Sequence, residues 1–234
     1  ARRDELAEGS LRGQKYRLKA FVAWCEEEGV DNLNDLTGRD LYAFRVWRRE
    51  GNYGDTKELE TVTLRGQLAT LRAFLHFAAD VNAVEDGLAE KVPLPSVSAG
   101  GDVSATTLDP ERAPDILEYL STYEYASMRH ALVLMAWHTG ARTGGLRALD
   151  VADCDLDAAE PTVEFVHRPE QDTPLKNGER GERVNAISGY VAGVLRDYLK
   201  GPRKMVTDDY GRRPLFTTRY GRPARTTVRN TMYT

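Results

Sequence analysis

Residues 137–149, WHTGARTGGLRAL, decide the fold of this chain because they place a sharp break between two helical patterns. The apolar run at residues 131–137 predicts a buried helix, and the Thr-Gly step after it lets the chain turn. The next helix begins near Thr143, so Arg142 lies beside unpaired backbone N–H groups and the positive end of the helix dipole. We expect Arg142 to have a partner there. Phosphate suits the position, but an ion pair with Asp150 or Asp153 is the simpler interpretation.

Strand patterns follow this stretch. Residues 162–167 alternate and are rich in β-branched or aromatic side chains, and residues 183–187 are a second strand candidate. The polar segment between them places Lys176 at the turn of a β-hairpin. A lysine at such a turn is usually only solvated, so it is weak evidence alone. A helix at residues 190–200, a short extended segment at 214–216 and a last helix within 222–234 complete this half.

Helical patterns precede the stretch. Leu18, Phe21, Val22 and Cys25 follow i, i+3, i+4, i+7 spacing. Thr37 with Asp40 predicts a capping box at the start of a second helix. A third helix is expected at about residues 56–79 and a weaker fourth near 84–90, which together make a small helical bundle. Asp109 followed by proline predicts another helix start. The fold class is therefore mainly α with a small antiparallel β-sheet (α+β).

A break in composition divides the chain in two. Residues 93–107, PLPSVSAGGDVSATT, combine prolines, glycines and small hydroxyl residues as interdomain linkers do. We therefore predict one domain at residues 1–92, a linker at 93–107 and a second domain at 108–234.

The distribution of charge points to nucleic acid more clearly than the net charge of −4 does. Residues 201–234 hold 8 basic and 2 acidic side chains, a net charge of +6 on an otherwise acidic chain. Arginine outnumbers lysine 25 to 7, and arginine binds phosphate through two parallel hydrogen bonds. A GC-rich genome or a salt-adapted acidic surface explains the ratio equally well.

The composition also excludes several classes of protein. No apolar run is long enough to span a bilayer and no signal peptide is visible, so a cytoplasmic protein with no membrane partner is expected. The two cysteines, Cys25 and Cys154, form no CxxC pair and support neither a zinc site nor a disulfide framework.

The order of these features resembles the tyrosine recombinase (phage integrase) family, most of all its archaeal integrase branch. The matching motifs are Thr139-Gly140-Ala141-Arg142 with Leu146 and Leu149, then Leu175-Lys176, then Pro214-Leu215-Phe216 with Gly221-Arg222. The resemblance implies a helical, SAM-like core-binding domain at residues 1–92 and part of a catalytic domain at 108–234. It also implies a site-specific recombinase that acts on double-stranded DNA as a homotetramer.

The family's chemistry assigns roles to two residues. Its members cut one strand with a tyrosine nucleophile, form a 3′-phosphotyrosine and need no metal or cofactor. The residue matching Arg142 holds the scissile phosphate and stabilises its transition-state charge. The residue matching Lys176 donates a proton to the leaving 5′-oxygen.

Two departures from the family pattern limit this assignment. Gly145 stands where the family usually has an acid. The His-x-x-Arg box, the later His or Trp and the nucleophilic tyrosine are not found, and Tyr233 comes too early in the order to be that tyrosine. We therefore expect this chain to be a segment, monomeric by itself, that binds DNA without cutting it. A truncated relic or regulator that occupies recombination sites is the alternative, and an all-helical protein-interaction module is a third interpretation.

Contacts to the DNA backbone are expected from exposed arginines. Arg45, Arg48 and Arg49 are predicted on one exposed helix, and Arg65 and Arg72 lie two helical turns apart. The basic tail adds further arginines, among them Arg219 and Arg222. A merely solvated face is the other interpretation of the first group.

Overall fold

The computed structural model describes residues 6, 8–54, 57–97, 109 and 111–233. The chain divides into two compact units, residues 1–107 and 108–234, which we call unit 1 and unit 2. Most of the predicted linker, from residue 98 to residue 107, lies outside the described residues.

Unit 1 is a helical bundle around an aromatic core. Its helices are α1 (Glu8–Glu28), α2 (Gly38–Arg49) and α3 (Thr61–Asp80), with short 3-10 helices at Leu33–Asp35 and Ala89–Lys91. The ring of Phe44 packs edge-on against Phe21 and Trp24, at centroid distances of 5.1 and 5.7 Å. Two sequence predictions need correction. The third helix begins at residue 61 rather than near 56, and the weak fourth helix is only a 3-10 turn.

The start of α2 confirms the predicted capping box. The hydroxyl of Thr37 accepts hydrogen bonds from the backbone N–H groups of Arg39 and Asp40, at 3.2 and 3.4 Å. The Asp40 carboxylate accepts from the backbone N–H of Thr37 at 2.8 Å. Hydrogen bonds from the side chain and backbone of Thr37 lower the pKa of Asp40. Local side chains therefore satisfy the N–H groups of Thr37, Arg39 and Asp40 at the start of α2.

Unit 2 combines five helices and three short strands among the residues described. The helices are α4 (Arg112–Tyr123), α5 (Met128–Thr139), α6 (Thr143–Ala148), α7 (Gly189–Lys200) and α8 (Arg225–Tyr233). The strands are β1 (Cys154–Asp155), β2 (Thr162–Phe165) and β3 (Arg183–Ala186). The helix predicted to start at Asp109 begins at Arg112, although the Asp109 carboxylate accepts a hydrogen bond from the Glu111 N–H at 3.0 Å.

The three strands form one antiparallel sheet in the order β1-β2-β3. Val163 pairs with Cys154 on one side and Asn185 on the other. Val163 and Phe165 are buried while Glu164 is exposed, which is the alternation expected of a sheet with one covered face. The predicted fold class, mainly α with a small antiparallel sheet, is confirmed.

The core of unit 2 is built around α5. Ala131, Leu132 and Met135 are fully buried, and Val194 and Leu195 of α7 belong to the same apolar cluster. The amphipathic helix α8 packs against α5 and α6. None of the helices in the described ranges is long and apolar enough to cross a membrane.

Candidate nucleic-acid interface

The stretch at residues 137–149 folds as a helix, a tight turn and a short helix. Helix α5 ends with Gly140 in the left-handed conformation, at φ +61°, and its N–H donates to the Ala136 carbonyl at 2.9 Å. Arg142 follows as the N-cap residue of α6. The glycine is needed because side chains with a Cβ rarely adopt that backbone conformation.

The side chain of Arg142 is exposed, and it has no hydrogen bond or ion pair with any residue that the structure describes. The ion pair with Asp150 or Asp153, which was the simpler interpretation, is therefore not found. The chain leaves the buried helix at Gly140 and carries Arg142 to the surface. Asp150 and Asp153, the two partners considered for it, are buried and pair with other arginines.

Replacing Gly140 with alanine tests the turn that presents Arg142. No heavy atom lies within 4 Å of a Cβ added there, so the cost comes from the backbone conformation and not from a clash. We expect the free energy of unfolding of unit 2 to fall by about 1 kcal/mol, measured by denaturant titration. The matched control is Gly193→Ala within α7, where the added Cβ is equally free. It should raise stability by about 0.5–1 kcal/mol, and equal effects of the two changes would contradict this account.

Gly145, where the family has an acid, lies against the sheet. A Cβ at this position would be 3.4 Å from Cδ1 of the Phe165 ring. The Arg183 guanidinium also lies near that ring, with its Cζ 4.2 Å from the ring centroid. A Cβ at Gly145 would therefore be in van der Waals contact with the Phe165 ring.

Lys176 lies in the connection between β2 and β3, residues 166–182. This connection is more structured than the simple hairpin turn that was predicted. It contains a bridge between Arg168 and Thr173 and two 3-10 turns, Pro169–Gln171 and Gly178–Gly181. Leu175 is buried in the unit 2 core, whereas the Lys176 side chain is exposed and bonds to none of the described groups.

Arg147 joins the helix that carries Arg142 to the connection that carries Lys176. Its guanidinium donates to the Asp172 carboxylate at 2.6 Å and to the Pro223 carbonyl at 2.9 Å. Arg142 lies five residues before Arg147, and Lys176 lies four residues after Asp172. Arg142 and Lys176 therefore lie on two elements, α6 and the connection between β2 and β3, that are joined by the ion pair of Arg147 with Asp172.

A buried network of three arginines and three aspartates supports this region. Arg168 binds Asp153 through two nitrogens, at 2.6 and 3.0 Å. The Asp150 carboxylate also faces three guanidinium groups: those of Arg168 at 3.7 Å, Arg212 at 3.3 Å and Arg222. Arg212 and Arg222 both reach Asp208, at 3.2 and 2.9 Å. The three carboxylates are only 5–8% exposed. We refer to these three arginines and three aspartates as the Arg–Asp network.

The Arg–Asp network shifts the ionisation of two of its members. Burial raises the pKa of Asp208, but hydrogen bonds from the Arg222 side chain and two backbone N–H groups outweigh it and leave that pKa lowered. The hydrogen bond to Asp153 raises the pKa of Arg168. Both shifts favour the charged forms of these groups at neutral pH. The network was not found from the sequence, because its members are up to 72 residues apart.

Two arginines predicted to bind DNA are internal. The side chain of Arg222 is 5% exposed and is fully engaged in the Arg–Asp network and with the Arg147 carbonyl at 2.7 Å. Arg48 is 1% exposed, and its Nε donates to the Gln67 side chain at 2.7 Å. Both predictions of an exposed side chain are corrected: burial of these guanidinium groups rather than solvent contact fixes their positions.

The other predicted DNA-binding arginines remain at the surface of their units. Arg49 and Arg65 are exposed, although Arg65 donates to the Pro95 carbonyl at 2.7 Å, and Arg45 and Arg72 are half-buried. Arg219 is exposed at the tip of the turn between Thr218 and Gly221, and its guanidinium lies 4.5 Å from the ring centroid of Tyr220. Tyr220 is 81% exposed, so this tip presents a cation and an aromatic ring to solvent.

Comparisons with known proteins agree on one family. Residues 1–82 match the family described as phage integrase, N-terminal SAM-like domain. The chain is 24% identical over 208 residues to the tyrosine recombinase XerC of Roseiflexus castenholzii (strain DSM 13941 / HLO8), which covers 88% of this chain and 60% of that protein. The chain therefore spans about 60% of the length of this curated relative.

Solved structures extend the similarity to the fold. The Tn1549 transposon integrase in complex with transposon right end DNA superposes with a TM-score of 0.64 at 14% identity, over 95% of this chain and 69% of that one. The N-terminal domain of a phage integrase/site-specific recombinase from Haloarcula marismortui is 33% identical over 40% of this chain and 85% of its own, with a TM-score of 0.36.

Proposed function

Because this chain is a member of the tyrosine recombinase family, we propose that it binds duplex DNA and that Arg142 and Lys176 contact the phosphate at which a strand is cut. On this proposal residues 1–92 form the core-binding domain, residues 93–107 a linker, and residues 108–234 part of the catalytic domain.

One observation carries the proposal: Arg142 and Lys176 are exposed and unbonded among the described residues, while four other arginines of unit 2 are engaged. Arg147, Arg168, Arg212 and Arg222 are all held by carboxylates. An exposed cation that no carboxylate of the described residues neutralises is available to an approaching anion. A DNA phosphate supplies that anion.

The chemistry of the two residues fits strand cleavage. The planar guanidinium of Arg142 can bind two phosphate oxygens and stabilise the negative charge that develops on them in the transition state. Lys176 can donate a proton to the departing 5′-oxygen. The arrangement needs no metal or cofactor for these two steps.

For this chain alone we propose DNA binding without cleavage. None of the histidines, His76, His130, His138 and His167, is followed three residues later by arginine. Tyr233 is 84% exposed near the end of α8. In a longer protein that adds the family's His-x-x-Arg box and tyrosine, we propose recombinase activity by a tetramer on DNA. Gly145, which stands where the family usually has an acid, favours a second candidate, a non-enzymatic protein that occupies recombination sites.

A duplex-binding titration at several salt concentrations tests the proposal. We expect measurable affinity at about 50 mM salt that falls steeply by about 200 mM, as counterion release requires. Arg45→Ala with Arg49→Ala, and separately Arg219→Ala, should each reduce the slope of log K against log salt by about 0.9 for every phosphate that the variant no longer neutralises.

The matched control is Arg196→Ala, which removes a half-buried arginine of α7 that pairs with Asp157 at 3.2 Å. It should leave the slope unchanged. No binding at low salt would contradict both DNA-binding functions. A substrate that traps covalent adducts should trap none with this chain, and an adduct at Tyr233 would overturn the proposal that it does not cut.

A further inference from the structure

We propose that His167 is the positioning residue that fixes the backbone from which Lys176 extends. The relevance of this inference to DNA rests on the proposed role of Lys176, but the contact that carries it does not. The Nδ1 atom of His167 accepts a hydrogen bond from the backbone N–H of Leu175 at 2.9 Å, directly before Lys176.

His167 is itself held at the end of β2. Its backbone N–H donates to the Glu182 carboxylate at 2.7 Å. Glu182 lies at the other end of the connection, directly before β3. Leu175 is anchored on its other side because its side chain is buried in the unit 2 core. The residue before Lys176 is therefore fixed through both its amide and its side chain.

The hydrogen bond determines which nitrogen of His167 carries the proton. An Nδ1 that accepts from an N–H has no hydrogen, so the neutral ring carries its proton on Nε2. That atom faces the turn after Lys176, since a Cβ at Gly178 would lie 3.9 Å from it. The turn is closed by the Gly178 N–H, which donates to the Leu175 carbonyl at 3.2 Å. The ring thus contacts both ends of the turn from Leu175 to Gly178, with Nδ1 at Leu175 and Nε2 near Gly178.

An exposed lysine needs such support to act on one atom. Its side chain has several rotatable bonds, and the structure describes no side-chain partner for it, so only the backbone limits where the ammonium can go. A small displacement of a catalytic group lowers its contribution steeply. By holding the Leu175 amide, His167 therefore limits the positions open to the flexible side chain of Lys176, the proposed proton donor.

Protonation of His167 would remove this support. The imidazolium is a donor at both nitrogens and offers the Leu175 N–H no acceptor. Among the described residues, the charged groups near His167 are Glu182, whose carboxylate accepts from its backbone N–H, and Glu179 and Arg180, which line the same open cleft as His167. We expect the position of the turn to depend on pH.

Two amide variants separate the two ring nitrogens. In His167→Asn the side-chain oxygen lies near the position of Nδ1 and can accept from Leu175, whereas in His167→Gln the amide lies near the position of Nε2. Hydrogen exchange of the Leu175 amide, measured by NMR on this chain, should accelerate about 5- to 10-fold in His167→Gln and His167→Ala but stay near wild type in His167→Asn. After correction for intrinsic exchange, the wild-type amide should lose protection as the pH is lowered, and the asparagine variant should not.

Duplex binding connects the contact to the proposed function. If Lys176 contacts phosphate, His167→Gln should weaken binding, and the double variant with Lys176→Ala should bind no more weakly than Lys176→Ala alone. Leu175 exchange that is unchanged in both His167→Gln and His167→Ala, or a pH profile shared by wild type and His167→Asn, would overturn the inference. Normal binding by Lys176→Ala with the expected exchange pattern would instead contradict only the proposed role of Lys176.

Discussion

Replacing Asp150 with asparagine should lower the free energy of unfolding of unit 2 by about 3–5 kcal/mol. The Asp150 carboxylate is buried and faces the guanidinium groups of Arg168, Arg212 and Arg222. Its removal leaves a positive charge in the Arg–Asp network without compensation, and the desolvated guanidinium groups then repel one another. A domain's total stability is about 5–15 kcal/mol, so much of the population should unfold well below the wild-type temperature.

Calorimetry or circular dichroism melting of the whole chain measures this effect. The matched control is Asp157→Asn, because Asp157 also pairs with an arginine, Arg196, but its side chain is 88% exposed. That change should cost less than about 1 kcal/mol. A melting curve for Asp150→Asn that coincides with the control would show that the network does not stabilise unit 2.

The second large effect concerns Arg142, whose replacement by alanine should abolish cleavage and leave the fold intact. In a cleavage-competent protein that contains this chain, removing one preorganised group that stabilises developing charge lowers the rate about 100- to 1000-fold or more. Because Arg142 is exposed and bonds to none of the described residues, the melting temperature should not change.

The measurement is single-turnover cleavage of a duplex recombination site, accompanied by a binding assay and a melting curve. Arg142→Lys should restore the charge but little of the rate, because lysine cannot bind two phosphate oxygens in one plane. Arg147→Ala is the structural counterpart: its guanidinium holds Asp172 and the Pro223 carbonyl, so the melting temperature should fall. Wild-type cleavage by Arg142→Ala would refute the role proposed for it.

The sequence was sufficient where neighbouring residues determine the structure. The capping box at Thr37, the break at Gly140 and the alternation around Val163 are local, and each is found where the pattern predicts it. Helix starts after polar or proline-containing segments were less accurate: α3 begins about five residues later than predicted, at Thr61.

The candidate site was only partly predictable because burial depends on residues far apart in the sequence. Nothing near Arg48 or Arg222 distinguishes them from the exposed arginines beside them. Arg48 is internal and bonds to Gln67 of another helix. Arg222 is internal and pairs with Asp150, which lies 72 residues earlier in the sequence. Arg142 shows the opposite case: an ion pair with Asp150 or Asp153 was the simpler interpretation, but its side chain is exposed.

The Arg–Asp network also separates two responses to ionic strength. At about 1 M salt the Debye length is only about 3 Å, which removes the attraction between surface cations and DNA, whereas buried pairs are screened much less. Folding therefore depends on the buried arginines of the Arg–Asp network, whereas the proposed DNA binding depends on exposed arginines. If the chain binds duplex DNA as proposed, concentrated salt should elute it from an immobilised duplex in its native form, and dilution should return it to the duplex without a refolding step.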